Sequence, residues 1–227
     1  MKLTSEKYGT RPLRADEGGL APPFPTTETA LADAFEPIRL AGYEPGRDVK
    51  LAIDVASSHF FNAGVYRFDN RQLTAKEIVR LVSGWLDKFP IVSLEDALAE
   101  EDWPHWPGLR STLGDRCLTL GDDFLCTNPD RIRRAIDAGA ANALLLKVNQ
   151  IGTLSEAAEA LKLARGAGWK VTVSARSGET EDDWLADLAV GWGGDQIKIG
   201  SITQSERLAK YNRLLAIEAE TGLPVVT

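Results

Sequence analysis

The stretch Cys117-Leu118-Thr119-Leu120-Gly121-Asp122 is a short apolar run that ends in a carboxylate. Two earlier runs have the same form, Leu51–Asp54 and Ile91–Glu95, and two later ones end in lysine, Ala143–Lys147 and Gln196–Lys198. Short apolar runs of this kind are typical of parallel strands that are buried on both faces. We therefore interpret the terminal charges as groups that meet at strand ends, where carboxylates can hold a divalent cation and a lysine can move a proton.

From about residue 49 onward, strand signals alternate with helix signals. The sequence predicts six strands, at Lys50–Asp54, Ile91–Glu95, Cys117–Asp122, Ala143–Lys147, Lys170–Ser174 and Asp195–Lys198. Capping residues and apolar periodicity predict the intervening helices. These begin at Thr74, run from Asn128 to Gly139, run from Thr153 to Gly166 or Gly168, and span 181–190 and 205–220. The last helix is rich in charges, so we expect it to present a solvated face.

Strand–helix alternation gives either a (β/α) barrel or an open doubly wound sheet. The spread of charged groups over several strand ends favours the barrel, because catalytic groups in that fold come from different strands. The glycine-rich phosphate loop that is typical of the open sheet does not occur in the sequence. Six strands are fewer than the eight that close a barrel. We therefore predict an α/β fold, an incomplete (β/α) barrel of about six parallel strands with outer helices.

The first 48 residues have a different character. Tyr8–Pro25 contains many glycines and prolines and is predicted to form a long loop, which includes Asp16-Glu17-Gly18-Gly19. Thr27–Ala41 is predicted to form one helix with an apolar side. We accordingly divide the chain into a loop and helix segment, 1–48, and a barrel portion, 49–227.

Composition narrows the classes of protein. The chain has 227 residues and is 44% hydrophobic, which is enough for one sizeable core. Its net charge of −7 disfavours nucleic acid as a partner. No apolar run in the sequence is long enough to span a membrane, and the first residues do not resemble a signal peptide. Cys117 and Cys126 have no metal-binding spacing, so we expect two thiols in a reducing compartment and a cytoplasmic location.

Longer motifs of the chain resemble the enolase (phosphopyruvate hydratase) family. They are Asp16–Pro22, Ser93–Asp96, Gly121–Asp123, Leu144–Gly152, Ser177–Asp182 and Ser205–Asn212, and they cover nearly all of the chain from about Tyr8. The resemblance implies the barrel half of an enolase. It also implies Mg²⁺ as the cofactor and a small phosphorylated carboxylate, such as 2-phosphoglycerate, as the substrate.

The resemblance implies a role for each charged strand end. Asp54, Glu95 and Asp122 would bind Mg²⁺, and Lys147 would remove the proton next to the substrate carboxylate. Lys198 would stabilise that carboxylate and the enediolate, and Glu17 would help the hydroxyl leave. Arg176 and Ser177 would hold the substrate phosphate. From the residues alone, the carboxylates could instead be helix caps, the lysines could be solvated, and Arg176 and Ser177 could form a salt bridge and a cap.

The chain also departs from the family pattern. Ala175 stands where the family has a histidine, and the segment after Lys198 reads Ile199-Gly200-Ser201-Ile202 instead of Thr-Gly-Ala-Pro. The resemblance begins late, so the family's N-terminal domain and first two barrel strands are expected to be absent. A second chain that resembles the N-terminal part of an enolase would then complete the enzyme, or the chain would self-associate.

Three functions remain open at this point. The first is an enolase-type dehydration by a split enzyme. The second is a relative with an altered substrate, such as a phosphonate-pathway synthase of the carboxyphosphonoenolpyruvate type, which Ala175 and Ile199–Ile202 suggest. The third is a non-catalytic, enolase-derived binding protein that keeps a metal site.

Overall fold

The structure, a computed structural model, describes residues 1–223 of the chain, so residues 224–227 of the predicted barrel portion lie outside it. The strands are β1 (Leu51–Asp54), β2 (Phe61–Asn62), β3 (Val65–Phe68), β4 (Arg71–Leu73), β5 (Ile91–Glu95), β6 (Leu118–Gly121), β7 (Ala143–Leu146), β8 (Lys170–Ser174) and β9 (Gln196–Lys198). The helices are α1 (Lys2–Tyr8), α2 (Thr27–Asp33), α3 (Phe35–Leu40), α4 (Ala75–Lys88), α5 (Trp106–Leu113), α6 (Pro129–Ala138), α7 (Val148–Ile151), α8 (Leu154–Gly166), α9 (Trp184–Gly191) and α10 (Ser205–Thr221). None of these helices is both long and apolar enough to cross a bilayer.

The chain divides into two compact units. The central unit is Phe24–Lys170, and the terminal unit combines Met1–Pro23 with the chain from Val171 onward. The division at residue 48 that the sequence motifs suggested stays a prediction.

Four parallel strands form the sheet of the central unit, in the order β1, β5, β6, β7. Asp54 pairs with Glu95 at the ends of β1 and β5, and Glu95 is also opposite Leu120 near the end of β6. Gly121 is in turn opposite Leu144 of β7. Since all four strands run in one direction, the residues that follow them collect at one edge of the sheet, as the sequence predicted.

Helices of the central unit begin and end at the predicted signals. Thr74 caps α4, and Glu77 completes the capping box by accepting a hydrogen bond from the Thr74 amide at 2.8 Å. Asn128 caps α6 by accepting hydrogen bonds from the amides of Asp130 and Arg131. Gly139 ends α6 with a left-handed conformation, φ 60°, that favours glycine.

The terminal unit contains the other two parallel strands. β8 and β9 pair from Thr172 opposite Gln196 to Ser174 opposite Lys198. Helix α9 covers them, and Val173, Ala175, Leu185 and Ala189 form a buried apolar cluster there. With four strands in the central unit and two here, the predicted fold class is confirmed, an incomplete (β/α) barrel of six parallel strands with outer helices.

Three details differ from the predictions. Thr27–Ala41 is two helices, α2 and α3, because Pro37 has no backbone N–H to continue the hydrogen bonds of a single helix. The helix predicted from Glu181 begins at Trp184. The prediction that the charged residues of α10 are solvated is wrong for Arg207 and Lys210, which are both 0% exposed.

The structure also contains a small antiparallel sheet, β2–β3–β4, which the sequence analysis did not predict. A chain of buried hydrogen bonds joins this sheet to the segment after β5. The hydroxyl of Tyr66 in β3 donates to Asp102 Oδ2 at 2.6 Å and accepts from the Ala99 amide at 3.1 Å. The other Asp102 oxygen, Oδ1, lies 2.6 Å from His105 Nδ1. Tyr66 is fully buried, so these bonds stabilise the polar groups of the β5–α5 segment away from water.

Replacing Tyr66→Phe should lower the free energy of unfolding by about 1–3 kcal/mol, because the Ala99 amide and Asp102 Oδ2 each lose a partner in a buried setting. Urea denaturation followed by circular dichroism measures this change. Tyr43→Phe is the matched control, since Tyr43 is 57% exposed and should change stability very little. Equal stability of the two variants would contradict the role given to Tyr66.

Candidate metal and catalytic site

Three carboxylates of the central unit converge beyond the ends of β5 and β6. Asp96, Asp122 and Asp123 each offer an oxygen, and these atoms all lie within 4.8 Å of one another. Asp96 and Asp122 are buried, and Asp123 is partly buried. Of these three residues, the sequence predicted only Asp122 as a metal ligand.

Asp96 holds the turn that follows β6. Its two carboxylate oxygens accept hydrogen bonds from the amides of Asp122 and Asp123, at 3.0 and 2.8 Å. Its own amide donates to the carbonyl of Leu120 at 3.1 Å, and its carbonyl accepts from the Ser57 amide at 3.1 Å. Asp96 therefore joins the ends of three chain segments with four hydrogen bonds, and it does so with a left-handed backbone, φ 43°.

Lys147 and Gln150 bind the two oxygens of the Asp122 carboxylate. Lys147 Nζ donates to Oδ2 at 2.5 Å, and Gln150 Nε2 donates to Oδ1 at 2.8 Å. The side chains of Lys147 and Asp122 are only 13% and 9% exposed. Thr127 supports the arrangement, because its hydroxyl donates to Gln150 Oε1 and accepts from the Lys147 amide, both at 2.9 Å. The predicted base and one predicted metal ligand are thus in direct contact.

Asp54 and Glu95 lie at neighbouring strand ends, opposite each other in the pairing of β1 and β5. Asp54 is exposed, and its Oδ1 accepts from the Ala56 amide at 3.0 Å. Glu95 is buried at 5% exposure. Neither belongs to the group of three aspartates, although the charge of Asp54 acts on Asp123. Their role as metal ligands stays a prediction.

The predicted substrate-binding residues lie in the terminal unit. Arg176 and Ser177 follow Ala175 after the end of β8, and Lys198 is the last residue of β9, opposite Ser174. The Arg176 amide donates to Glu179 Oε1 at 2.8 Å. The loop that contains Glu17 is attached to the segment after β9, because the Ser201 amide donates to the Glu17 carbonyl at 2.9 Å.

Crowding of carboxylates in a buried setting changes their acidity. Burial is the largest cause that raises the pKa of Asp96, to about 7, and the charges of Asp122 and Asp123 act in the same direction. Burial and the charge of Asp122 also raise the pKa of Asp123, while Lys147 opposes that change. The site therefore favours binding a cation or a proton between its carboxylates.

The donor set of the aspartate group fits a hard divalent cation. All three candidate ligands offer carboxylate oxygen, which Mg²⁺ and similar ions prefer, and no softer ligand is among the three. The buried position lowers screening by solvent, so the attraction for a cation is stronger than at an exposed acidic patch. The contact between Lys147 and Asp122 shows that a positive charge is already accommodated at this carboxylate.

Sequence reasoning missed four contributors to this site. They are Asp96, Asp123, Thr127 and Gln150. Three of them are within the motifs quoted above, Ser93–Asp96, Gly121–Asp123 and Leu144–Gly152, so the motifs contained the signal. Only the structure shows which of their side chains contact Asp122 and which hold its backbone.

The fold and this site define an α/β barrel protein whose buried carboxylates are compatible with divalent metal binding. The chain belongs to the enolase family through its barrel, because the model of the "Enolase, C-terminal TIM barrel domain" matches residues 1–226. The resemblance that the sequence motifs suggested is therefore confirmed.

In metal-free buffer with a chelator, the free energy of unfolding should fall by about 2–3 kcal/mol as the pH rises from 5 to 8. The folded pKa of Asp96, about 7, is above its ordinary value of 3.8, so folding favours the protonated form. The contribution of Asp96 to the free energy of unfolding is complete below its pKa in the unfolded chain. It is lost as the pH rises through its pKa in the folded chain. Urea titrations across this range measure it.

Asp96→Asn should remove this part of the pH dependence, whereas Asp115→Asn, whose side chain is 98% exposed, should retain it. A flat profile for the unchanged chain, or the same slope in Asp96→Asn, would show that Asp96 is not the group responsible.

Isothermal titration with Mg²⁺ should give opposite results for two variants of the ion pair. Asp122→Asn removes a charged oxygen ligand and should weaken binding by about tenfold or more, whereas Lys147→Met removes a competing cation and should strengthen it. Asp115→Asn again serves as the control and should bind like the unchanged chain. Weaker binding in Lys147→Met would mean that the ion does not compete with Lys147 for Asp122.

Proposed function

We propose that this chain is the barrel component of a Mg²⁺-dependent, enolase-type lyase that dehydrates a small phosphorylated carboxylate of the 2-phosphoglycerate type through an enediolate. The observation that carries the proposal is the contact of 2.5 Å between Lys147 Nζ and Asp122 inside the buried aspartate group. A lysine and a cation-binding carboxylate group in contact at strand ends are the parts that proton abstraction next to a carboxylate requires. Membership of the enolase family supports the same reaction class.

Lys147 is the proposed base, and in its neutral amine form it takes the substrate proton at Nζ. Asp122 orients that nitrogen, while Thr127 fixes the Lys147 backbone and Gln150 fixes the other Asp122 oxygen. A base held in one position gains rate because little reorganisation is needed when the proton moves. Two sets of residues could hold Mg²⁺: Asp122 with Glu95 and Asp54, or Asp122 with Asp96 and Asp123. When bound, the ion would neutralise the negative charge that develops on the substrate carboxylate.

The remaining predicted residues have proposed roles in holding the anionic substrate. Lys198 would stabilise the carboxylate and the enediolate, Arg176 and Ser177 would bind the phosphate, and Glu17 would help the hydroxyl leave. These roles rest on the family resemblance. Two details of the terminal unit support them: Arg176 and Ser177 follow one strand end, and Lys198 ends the neighbouring strand.

A second candidate, an altered substrate such as a phosphonate, is favoured by the surroundings of Ala175. Its methyl group is buried among Val173, Leu185 and Ala189, so this position offers neither a proton donor nor an acceptor. Ile199 is also buried, at 3% exposure. Both residues are at the ends of β8 and β9, where a change of side chain alters what the neighbouring loops can bind.

We also propose that a partner covers the edge of β1, either a chain that resembles the N-terminal part of an enolase or a second copy of this chain. Among residues 1–223, β5 is the strand that pairs with β1, and β1 is the first strand in the sheet order. An unpaired strand edge is a site for pairing with another chain. A cytoplasmic location is part of the proposal, and the two free thiols, Cys117 and Cys126, support it.

With Mg²⁺ and 2-phosphoglycerate in D₂O, the chain should exchange the proton next to the carboxylate, and Lys147→Met should reduce the exchange rate by about 1,000-fold or more, because the base is gone. Proton NMR of the substrate measures the exchange. Lys162→Met is the matched control, since Lys162 is an exposed lysine of α8.

The same assay separates the alternatives. Exchange of a phosphonate analogue but not of 2-phosphoglycerate would support the altered substrate, and Mg²⁺ binding without exchange of either would support a non-catalytic binding protein. Full dehydration by the isolated chain would contradict the need for a partner.

A further inference from the structure

Two basic side chains of α10 are completely buried in the terminal unit. Arg207 and Lys210 are both 0% exposed and are three residues apart on the helix. Arginine and lysine are almost never fully buried unless their charges are paired or saturated with hydrogen bonds. The partners of these two side chains therefore indicate what their burial achieves.

Arg207 binds backbone carbonyls at the ends of both strands of the unit. Its Nη1 donates to the carbonyls of Arg176 and Ile199, at 2.7 and 2.9 Å, and its Nη2 donates to the carbonyl of Ser177 at 2.6 Å. Its contact with the carboxylate of the adjacent Glu206 is longer, 3.6 Å. One guanidinium group thus joins the segment after β8 to the segment after β9.

Lys210 acts on the first of these segments. Its Nζ donates to the Thr180 carbonyl at 2.5 Å and lies 3.0 Å from Glu179 Oε2. The other oxygen of Glu179 accepts the Arg176 amide at 2.8 Å. The backbone of Arg176 is therefore held at its amide through Glu179 and at its carbonyl through Arg207.

The Arg207 contacts also determine the direction of two amide groups. In a trans peptide the carbonyl oxygen and the following N–H point in opposite directions, and no peptide bond among residues 1–223 is cis. Since the carbonyls of Arg176 and Ser177 both point to Arg207, the N–H groups of Ser177 and Gly178 point away from it. Ser177 and Gly178 are exposed, and successive amides directed to one side can bind an anion.

The segment after β9 leaves room for Arg207 only because it contains glycine. Gly200 has φ 119°, and a Cβ there would lie 2.9 Å from Arg207 Cδ and 3.1 Å from the Glu17 carbonyl oxygen. Tyr211 of α10 donates to the Gly200 carbonyl at 2.7 Å. Helix α10 thus holds both strand ends and contacts the segment to which the Glu17 loop is attached.

We propose that Arg207 is a positioning residue: it orients the amides of Ser177 and Gly178 to bind the phosphate group of the substrate, and it fixes the backbone from which the Arg176 side chain extends. The ligand part of this inference rests on the proposed function. Arg207 itself does not contact the substrate in this arrangement, because it is fully buried behind the carbonyls that it binds. Lys210 contributes through Glu179, but only to the segment after β8.

Hydrogen exchange of the ligand-free chain tests the positioning directly. In Arg207→Lys, which keeps the charge but cannot reach three carbonyls, the hydrogen-bonded amides of Arg176 and Ser201 should exchange about tenfold faster or more, while those of β8 and β9 stay unchanged. Arg213→Lys is the matched control, because Arg213 is on the same helix and forms an ion pair with Asp187 outside the buried network. Unchanged loop exchange, or faster exchange throughout the unit, would overturn the proposal.

A second variant keeps the test decisive if Arg207→Lys fails to fold. Lys210→Met should speed exchange of the Arg176 amide, which Glu179 holds, and leave the Ser201 amide unchanged, because Lys210 contacts only the first segment. Faster exchange of both segments in Lys210→Met would overturn the separate assignment of the two side chains.

Binding of 2-phosphoglycerate with Mg²⁺ tests the ligand part. Arg207→Lys should raise the Kd by about tenfold and leave Mg²⁺ affinity close to that of Arg213→Lys. An unchanged Kd would overturn the role in phosphate binding. If the unchanged chain binds no 2-phosphoglycerate, the proposed function fails, and the exchange data still decide whether Arg207 orders the two segments.

Discussion

The buried carboxylate of Asp96 is the contact on which the central unit's candidate site depends. It accepts the amides of Asp122 and Asp123 and thereby fixes the direction in which β6 delivers its two acidic side chains. Burying a carboxylate is costly, and this one is retained with a pKa raised to about 7 and a left-handed backbone. A strained backbone of this kind persists only where the surrounding structure holds it in place. Here the strained residue, Asp96, is next to the residues with the clearest chemical role, Asp122 and Lys147.

In the terminal unit, a buried side chain of the opposite charge also holds the backbone of the loops that follow the strands. Asp96 accepts from backbone amides, whereas Arg207 donates to backbone carbonyls at the ends of β8 and β9. Both side chains are buried and make several hydrogen bonds, so each holds more than one chain segment at once. A loop that follows a parallel strand has no sheet hydrogen bonds of its own, and a buried charged group supplies the missing partners.

Most of the fold could be predicted because its signals are local. Buried strands appear as short apolar runs, and capping residues such as Thr74 and Asn128 mark where helices begin. The predictions failed where a local pattern was interrupted or where a distant partner decided the outcome. Pro37 divides one predicted helix into two, and the β2–β4 sheet depends on Tyr66 reaching Asp102, a residue 36 positions away.

In the candidate site, too, some features depend on the local sequence and others depend on contacts between distant residues. The residue types and their positions at strand ends could be read from the sequence, since Asp122 follows β6 and Lys147 follows β7 whatever the tertiary packing. The three-dimensional arrangement was needed to show that Lys147 and Gln150 bind Asp122, that Asp96 holds its backbone, and that Arg207 and Lys210 are buried. The physical reason is that periodicity and capping act within one element, whereas hydrogen bonds between loops depend on how separate strands pair and how closely helices pack on them.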